Sequence, residues 1–179
     1  MIFECLIVGG LETNCYILKS GNSGIIIDPG AEAKRIIEKA SGLDIILILL
    51  THGHSDHIGA LQEVKEAFNA RTAVHQLDWR PGFDLELEDN QKIEFEQDRL
   101  KVLHTPGHTP GGCCFLVGNI LFSGDTLFPN GHGNTSFSGG DERAILKSIR
   151  EKLLILPDET EVHPGHGEPT TIGRERGLY

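Results

Sequence analysis

Residues 51–57, Thr-His-Gly-His-Ser-Asp-His, place three imidazoles and a carboxylate in one short stretch of chain. They follow the apolar run 45–50, which predicts a buried strand, so the polar group is expected where that strand ends, at the rim of a sheet. Each buried polar side chain needs its own hydrogen-bond partner, and four of them this close together are hard to satisfy without a cation. The stretch therefore indicates a metal centre rather than a packed core. Its candidate ligands are His52, His54, Asp56 and His57.

Three further residues of metal-ligand type recur downstream in a similar setting. His108, Asp125 and His166 each lie in a glycine-bearing loop that follows a short apolar run. Loops at one edge of a rigid sheet commonly bring distant residues together. We therefore expect all seven residues to contribute to one site.

The types of these residues favour a catalytic metal over a structural one. Structural zinc sites are closed by four ligands, often thiolates, whereas the seven candidates here include two carboxylates and no cysteine. A bound metal lowers the pKa of water to about 7, and a second metal would polarise a substrate carbonyl. Asp56 is the candidate to accept or relay the proton, because a carboxylate on a metal lies close to the bound water.

Length and charge limit the class of protein. The 179 residues, of which 39% are hydrophobic, are typical of one globular domain, which we take as residues 1–179. The formal net charge of -10 argues against a nucleic-acid partner. No apolar run reaches the roughly 18 residues that span a bilayer, and no signal peptide is visible. We expect a cytoplasmic protein that acts on a small molecule and binds no membrane, with its oligomeric state left open.

The apolar pattern predicts strands and helices in mixed order. Strands are expected over residues 2–8, 14–19, 24–28, 45–50, 71–75 and 160–163, and several antiparallel strands over residues 85–122. Helices are expected over residues 31–40, 58–68 and 141–154, the last with Asp141 as its N-cap. The glycine-rich residues 129–140 predict a long loop beside the site, and residues 170–179 a helical or frayed tail.

The cysteines and the remaining polar candidates have simpler interpretations. The four cysteines form no C-x-x-C pattern and are expected to be small, buried and reduced. His104 and His163 are either partners that orient ligands or ordinary residues at strand ends. His132 is interpreted as a solvated loop residue, and Trp79 and Phe83 as loop anchors packed on the core.

The motif His52-x-His54-x-Asp56-His57, followed by His108, Asp125 and His166, resembles the metallo-β-lactamase superfamily over nearly the whole chain. The resemblance is closest to the glyoxalase II-like (hydroxyacylglutathione hydrolase) branch. It implies an α/β fold, a four-layer αβ/βα sandwich of two mixed sheets flanked by helices, with a two-metal site at one edge of the sheets. The segments that support this branch are residues 28–30, 105–111, 124–128 and 164–167.

The resemblance also assigns roles to the seven candidates. His52, His54 and His108 are similar to the ligands of the first metal, and Asp56, His57 and His166 to those of the second. Asp125 is similar to the carboxylate that bridges the two ions. The implied cofactors are two divalent ions, zinc first and iron or manganese as alternatives. The implied activity is hydrolysis of a small acyl thioester by a metal-bridging hydroxide.

Other activities of the superfamily remain to be weighed. A lactonase would use the same machinery, and a persulfide dioxygenase would use one iron on the equivalents of His52, His108 and Asp125. The flavodiiron branch is disfavoured because His54 stands where its pattern has Glu, and a true β-lactamase because Asp125 is present. Acidity and length disfavour a nuclease, and the intact ligand set disfavours a non-enzymatic binding module.

The expected substrate departs from that of long glyoxalase II enzymes. Those enzymes carry a C-terminal helical domain that helps to bind glutathione, whereas this chain ends at Tyr179. The segment 131–136 also lacks the Lys and Tyr that bind glutathione in the long enzymes. We therefore expect S-D-lactoylglutathione to be at best a modest substrate, unless Arg80 or Arg143 supplies a second anion contact.

Overall fold

The computed structural model describes residues 1–179, and its first half builds a mixed sheet of six strands in the order β1-β2-β3-β4-β5-β6. The first three strands pair antiparallel, and β3 to β6 pair parallel. These strands are β1 Ile2–Val8, β2 Thr13–Ser20, β3 Ser23–Ile27, β4 Asp44–Leu49, β5 Arg71–His75 and β6 Leu85–Leu87.

The second half builds another six-stranded mixed sheet in the order β14-β13-β10-β9-β8-β7. Only β10 and β13 pair parallel in it. Its strands are β7 Lys92–Phe95, β8 Asp98–His104, β9 Cys113–Val117, β10 Ile120–Gly124, β13 Glu161–Pro164 and β14 Thr170–Thr171. A small antiparallel hairpin, β11 Leu127–Phe128 and β12 Gly131–His132, forms a two-stranded sheet of its own next to β10 and β13.

Helices cover the outer face of each sheet, so the molecule has four layers. They are α1 Ala33–Lys39, α2 Ser55–Ile58, α3 Leu61–Phe68, α4 Glu142–Ser148 and α5 Ile172–Glu175, and a π-type turn, Ile149–Leu153, extends α4. Short 3-10 turns occupy Gln76–Asp78 and Arg176–Leu178. This is the four-layer αβ/βα sandwich that the resemblance implied, and the predicted fold class is confirmed.

Strand periodicity decides which core each apolar side chain enters. In β4, Leu47 and Leu49 point into the core between the two sheets, whereas Ile48 points into the core beneath the helices. This alternation is the period of two that a strand imposes, with both faces buried. Ile36 of α1 and Val64 of α3 complete the core on the outer side of the first sheet.

Strand direction brings the loops that carry the site to one edge. β3, β4 and β5 run parallel, so the residues that follow them, from Asp28, Thr51 and Gln76 onward, emerge on the same side. In the second sheet β8, β10 and β13 also run in one direction. Their carboxyl ends lead to the loops of His108, Asp125 and His166.

The predicted helix 58–68 is wrong at its start, because the chain forms two helices there. α2 ends at Ile58, and the Ala60 N–H leaves the helical ladder to donate to the Pro29 carbonyl at 3.0 Å. A Cβ atom on Gly59 would lie 2.4 Å from the Gly30 carbonyl oxygen, so only glycine allows this approach. Asp56 and His57 therefore sit on a separate turn rather than at the start of α3.

Four smaller expectations are corrected. β6, within residues 85–122, pairs parallel with β5 in the first sheet, and β12 falls inside the predicted loop 129–140. Cys5 is exposed, unlike the other three cysteines, although all four are free. Trp79 is exposed rather than packed on the core. Asp141 does cap α4 as predicted, since its side chain accepts from the N–H groups of Arg143 and Ala144.

None of the helices combines the length and apolar character needed to cross a membrane.

A stacked pair of imidazoles joins the two sheets near the site. His75 at the end of β5 lies on His104 at the end of β8, with ring centroids 3.8 Å apart and planes 10° apart. His75 Nδ1 accepts from the Leu77 N–H, and His104 Nε2 donates to the Pro110 carbonyl. Because His75 is only 3% exposed, burial, with the neighbouring His104, lowers its pKa to about 4. The His75 ring is therefore neutral at pH 7.

This pair predicts a loss of stability in mild acid. The unfolded chain binds a proton at His75 near pH 6.5, whereas the folded chain resists it until about pH 4. Stability is therefore lost as pH falls through this window, by about 2 kcal/mol at pH 5. His75→Asn cannot titrate, so its unfolding free energy in urea should drop less than that of the wild type between pH 7 and pH 5. Equal drops in both proteins would contradict this assignment.

Candidate metal centre

Three imidazole nitrogens from two loops form the first half of the cluster. His52 and His54 follow β4, and His108 lies in the loop between β8 and β9. His54 Nδ1 is 3.1 Å from His52 Nε2 and 2.9 Å from His108 Nε2. The three atoms are close enough for one ion to bind them all.

A second group of three atoms lies beside the first. Asp56 and His57 come from α2, and His166 from the loop after β13. His57 Nε2 and His166 Nε2 are 3.3 Å apart, and Asp56 Oδ2 is within 3.4 Å of both. These atoms too can share one ion.

Asp125, which directly follows β10, lies between the two groups. Its Oδ2 is 3.4 Å from His108 Nε2 of the first group, and its Oδ1 is 3.5 Å from His57 Nε2 of the second. Gly165 makes room for it, because a Cβ atom there would lie 2.2 Å from Asp125 Oδ1. That oxygen is buried and has no hydrogen-bond partner, so a ligand is needed to satisfy it.

Hydrogen bonds on the far side of the rings decide where their lone pairs point. The Thr51 hydroxyl donates to Asp28 at 2.6 Å, so at 3.0 Å it must accept from His52 Nδ1–H. His57 Nδ1–H donates to Asp28 Oδ2 at 2.9 Å. The Nε2 lone pairs of His52 and His57 therefore face the interior of the cluster.

Backbone carbonyls orient two more rings in the same way. His108 Nδ1–H donates to the Asn134 carbonyl at 2.7 Å, and His166 Nδ1–H donates to the Leu11 carbonyl at 2.9 Å. Four Nε2 atoms and the Asp56 and Asp125 carboxylates thus converge, and each neutral ring directs its Nε2 lone pair into the cluster. This arrangement is repulsive by itself and fits two cations.

Burial and charge shift the proton affinities of the cluster in opposite directions. Burial first, and the neighbouring imidazoles second, lower the pKa of His52 well below its ordinary value, and burial likewise lowers the pKa of His54. Burial also opposes a charge on His57, but the surrounding carboxylates, led by Asp28, raise its pKa to about 9. A metal ion must displace that proton, so its binding is coupled to pH.

Two aspartates support the site without belonging to the ligand set. Asp28 is buried, and besides the Thr51 hydroxyl and His57 it accepts from the Thr51 N–H. Asp78 accepts from the Gly53 N–H, the Thr109 hydroxyl and the Gly111 N–H. Asp78 thereby joins the loop of His52 and His54 to the loop of His108. The sequence analysis pointed to Asp28 only as part of the segment 28–30, and it did not point to Asp78.

The other histidines considered from the sequence lie outside the cluster. His104 stacks on His75, and His163 contacts Glu161 and packs against Phe3. His132 Nε2 lies 3.3 Å from Glu142. None of the three orients a ligand.

A cavity of about 720 Å³ opens onto the cluster, within the size range of small-molecule sites. Leu11 and Phe137 form its apolar walls, and the Phe137 ring centroid is 5.6 Å from that of His54. The rest of the lining is polar and comprises His54, Ser55, Asp56, His108, Asp125, Ser138 and His166.

The chain belongs to the metallo-β-lactamase superfamily, whose family model matches residues 8–166. A relative of nearly the same extent is the hydroxyacylglutathione hydrolase GloC of Haemophilus influenzae. It is 36% identical, over 98% of this chain and 95% of its own length. The family and this relative identify the chain as a metal-dependent hydrolase.

Solved structures agree with the assignment to this superfamily. The BLEG-1 B3 metallo-β-lactamase has a TM-score of 0.89 at 35% identity, covering 98% of this chain and 97% of its own. TTHA1623 in a di-iron-bound form has a TM-score of 0.86 at 34% identity, covering 97% and 96%. ETHE1 from Myxococcus xanthus has a TM-score of 0.91 at 29% identity, covering 98% and 82%.

Proposed function

We propose that this protein is a dinuclear metal-dependent hydrolase of small acyl thioesters. In the reaction, water adds to the carbonyl carbon, the carbon–sulfur bond breaks, and a carboxylate, a thiol and a proton are released. The observation that carries the proposal is the pair of adjacent ligand groups with Asp125 between them, whose Oδ1 is buried and has no hydrogen-bond partner.

In this proposal each residue keeps the role that its position suggests. His52, His54 and His108 would hold one ion, Asp56, His57 and His166 would hold the other, and Asp125 would serve both. Two such ions, when bound, supply hydroxide near neutral pH and polarise the substrate carbonyl. Zinc is the first candidate, and iron or manganese are the alternatives.

Asp56 is the residue that we assign to proton transfer. It lines the cavity, and its Oδ2 lies near His57 and His166 and accepts from the Thr13 hydroxyl at 3.3 Å. A carboxylate held at this position can accept the proton of the attacking water and pass it on. No other nucleophile is required.

The cavity and the relatives support a small thioester. Leu11 and Phe137 offer apolar contact to an acyl group on either side of the cluster. GloC is named a hydroxyacylglutathione hydrolase, which supports glutathione thioesters as candidates despite the differences in residues 131–136. The assay panel therefore includes S-D-lactoylglutathione, a small acetyl thioester and a lactone. A β-lactam is added because BLEG-1 is named a B3 metallo-β-lactamase.

We expect thioester hydrolysis that falls as pH is lowered below about 7. Bound ions would supply a hydroxide that acid neutralises, and protonated imidazoles would no longer hold the ions. The measurement is kcat/KM against pH, with bound metal determined at each point. His166→Ala should lose most of the activity, whereas His163→Ala, three residues away but outside the cluster, should keep it. A rate that stays flat to pH 5 with metal retained would argue against this mechanism.

An iron-dependent oxidation is the second candidate, as a persulfide dioxygenase with one iron on His52, His108 and Asp125. The di-iron form of TTHA1623 and the likeness to ETHE1 are the observations that support considering it. Elemental analysis of protein purified without added metal separates the two candidates. Two zinc ions per chain favour hydrolysis, and one iron with oxygen uptake on a persulfide favours oxidation.

A further inference from the structure

A second cavity, of about 250 Å³, opens beside the metal centre and shares His54 and Ser138 with the main one. Residues 77–80, which follow β5, form one wall, and Thr109 and Pro110 form the other. We call this cavity the side lobe. A substrate held at the metal centre can extend into it past His54.

The side lobe contains a cation without an acidic partner. Arg80 has no carboxylate within 4.0 Å and forms no salt bridge. Its Nη2 donates to the Gly53 carbonyl, and its guanidinium lies 5.5 Å from the centroid of the Phe83 ring. The neighbouring Asp78 is occupied by its three donors on the two ligand loops. Arg80 is therefore held in place with charge and N–H groups still free.

Exposed apolar side chains surround this cation. Trp79 is 42% exposed and Leu77 is 58% exposed, and both line the side lobe. Of the eight large hydrophobic residues exposed in the whole chain, these two and the pair Leu11 and Phe137 line the two connected cavities. Exposed apolar surface gathered around a site marks a place where a ligand binds.

We propose that the side lobe binds an anionic arm of the thioester substrate, a carboxylate or phosphate on its acyl or its thiol portion. Arg80 pairs with the anion, and Trp79 and Leu77 pack against the chain that carries it. The inference rests on the proposed function of the metal centre, which places the thioester carbonyl next to His54. The net charge of -10 disfavours the approach of anions to the protein as a whole. Arg80 therefore gives the side lobe a local preference for anions.

The single tryptophan of the chain, Trp79, reports binding without any turnover. The probes are non-hydrolysable thioethers: one with a carboxylate on the thiol portion, one with a carboxylate on the acyl portion, and their neutral amides. We expect a saturable change of tryptophan fluorescence, with a Kd at least about tenfold lower for one of the anionic probes than for its amide. The difference should shrink in high salt, since the pair is partly exposed.

Three variants test the role of Arg80. Arg80→Gln should abolish the preference for the anionic probe, and Arg80→Lys should retain part of it. Arg71→Gln is the matched control, because Arg71 is also exposed and unpaired but begins β5 and lines neither of these two cavities. Equal Kd values for the anionic and neutral probes in the wild type, or a preference that survives Arg80→Gln, would overturn the proposal.

Kinetics on the matching thioesters separate this proposal from the function of the metal centre. The anionic thioester should show a lower KM than its neutral amide, and Arg80→Gln should raise that KM about tenfold while leaving kcat largely unchanged. Probe binding without hydrolysis of any thioester would support the side lobe and reject the thioesterase. Hydrolysis of thioesters with no preference for an anion would support the thioesterase and reject the side lobe as an anion site.

Discussion

Asp125→Ala should remove more than one metal ion and reduce hydrolysis by more than a hundredfold. Asp125 faces both groups of ligands, with Oδ2 near His108 and Oδ1 near His57. Its loss therefore weakens the binding of both ions at once. We expect a larger loss of activity than the roughly 10–100-fold that is typical of residues that only support a ligand. The measurement is zinc content per chain after dialysis against a fixed free zinc concentration, with kcat/KM determined on the same sample.

Asp56→Ala is the matched comparison for this experiment. Asp56 contacts His57 and His166 of the second group, and it belongs to no group with the histidines of the first. The Asp56→Ala variant should therefore lose one ion and keep the other. A stoichiometry of two ions in Asp125→Ala, or equal losses in both variants, would show that Asp125 does not bridge.

Local pattern in the sequence predicted most of the strands, and it selected seven residues that the structure brings together. The run 45–50 is apolar throughout, and the structure buries β4 between two cores. The seven ligand-type residues come together because parallel strands place the loops that follow them at one edge. The sequence indicates this arrangement, since each of these residues lies in a loop that follows an apolar run. Their roles as ligands stay predictions until metal binding is measured.

Contacts between distant segments could not be predicted in this way. The carbonyls of Leu11 and Asn134 orient two rings, but every residue has a carbonyl, so the sequence gives no signal for them. The helix break before Ala60 depends on a carbonyl from Pro29, thirty-one positions earlier. Trp79 was interpreted as a core anchor because aromatic residues usually pack inside, and only the three-dimensional arrangement shows it beside Arg80.

Asp28 is the clearest example of a residue whose role needs the folded chain. It follows β3 and accepts three hydrogen bonds: one from the Thr51 N–H, one from the Thr51 hydroxyl, and one from His57 Nδ1. Two of these donors belong to the loop of His52, and the third belongs to α2. One buried carboxylate thus sets the ring orientation of His57 directly and that of His52 through Thr51.

Asp28→Asn should lower the affinity for the second metal ion, the one assigned to Asp56, His57 and His166, by about 10–100-fold. It should also lower the free energy of unfolding by about 1–3 kcal/mol. An amide has one acceptor oxygen for three donors, so either a buried donor loses its partner or His57 moves its proton to Nε2, where it blocks the metal. The measurements are zinc affinity by competition with a chelator and the unfolding free energy of the metal-free protein in urea. Asp44→Asn, an exposed position at the start of β4, is the control and should leave both unchanged. Wild-type zinc affinity in Asp28→Asn would show that the orientation of His57 does not depend on Asp28.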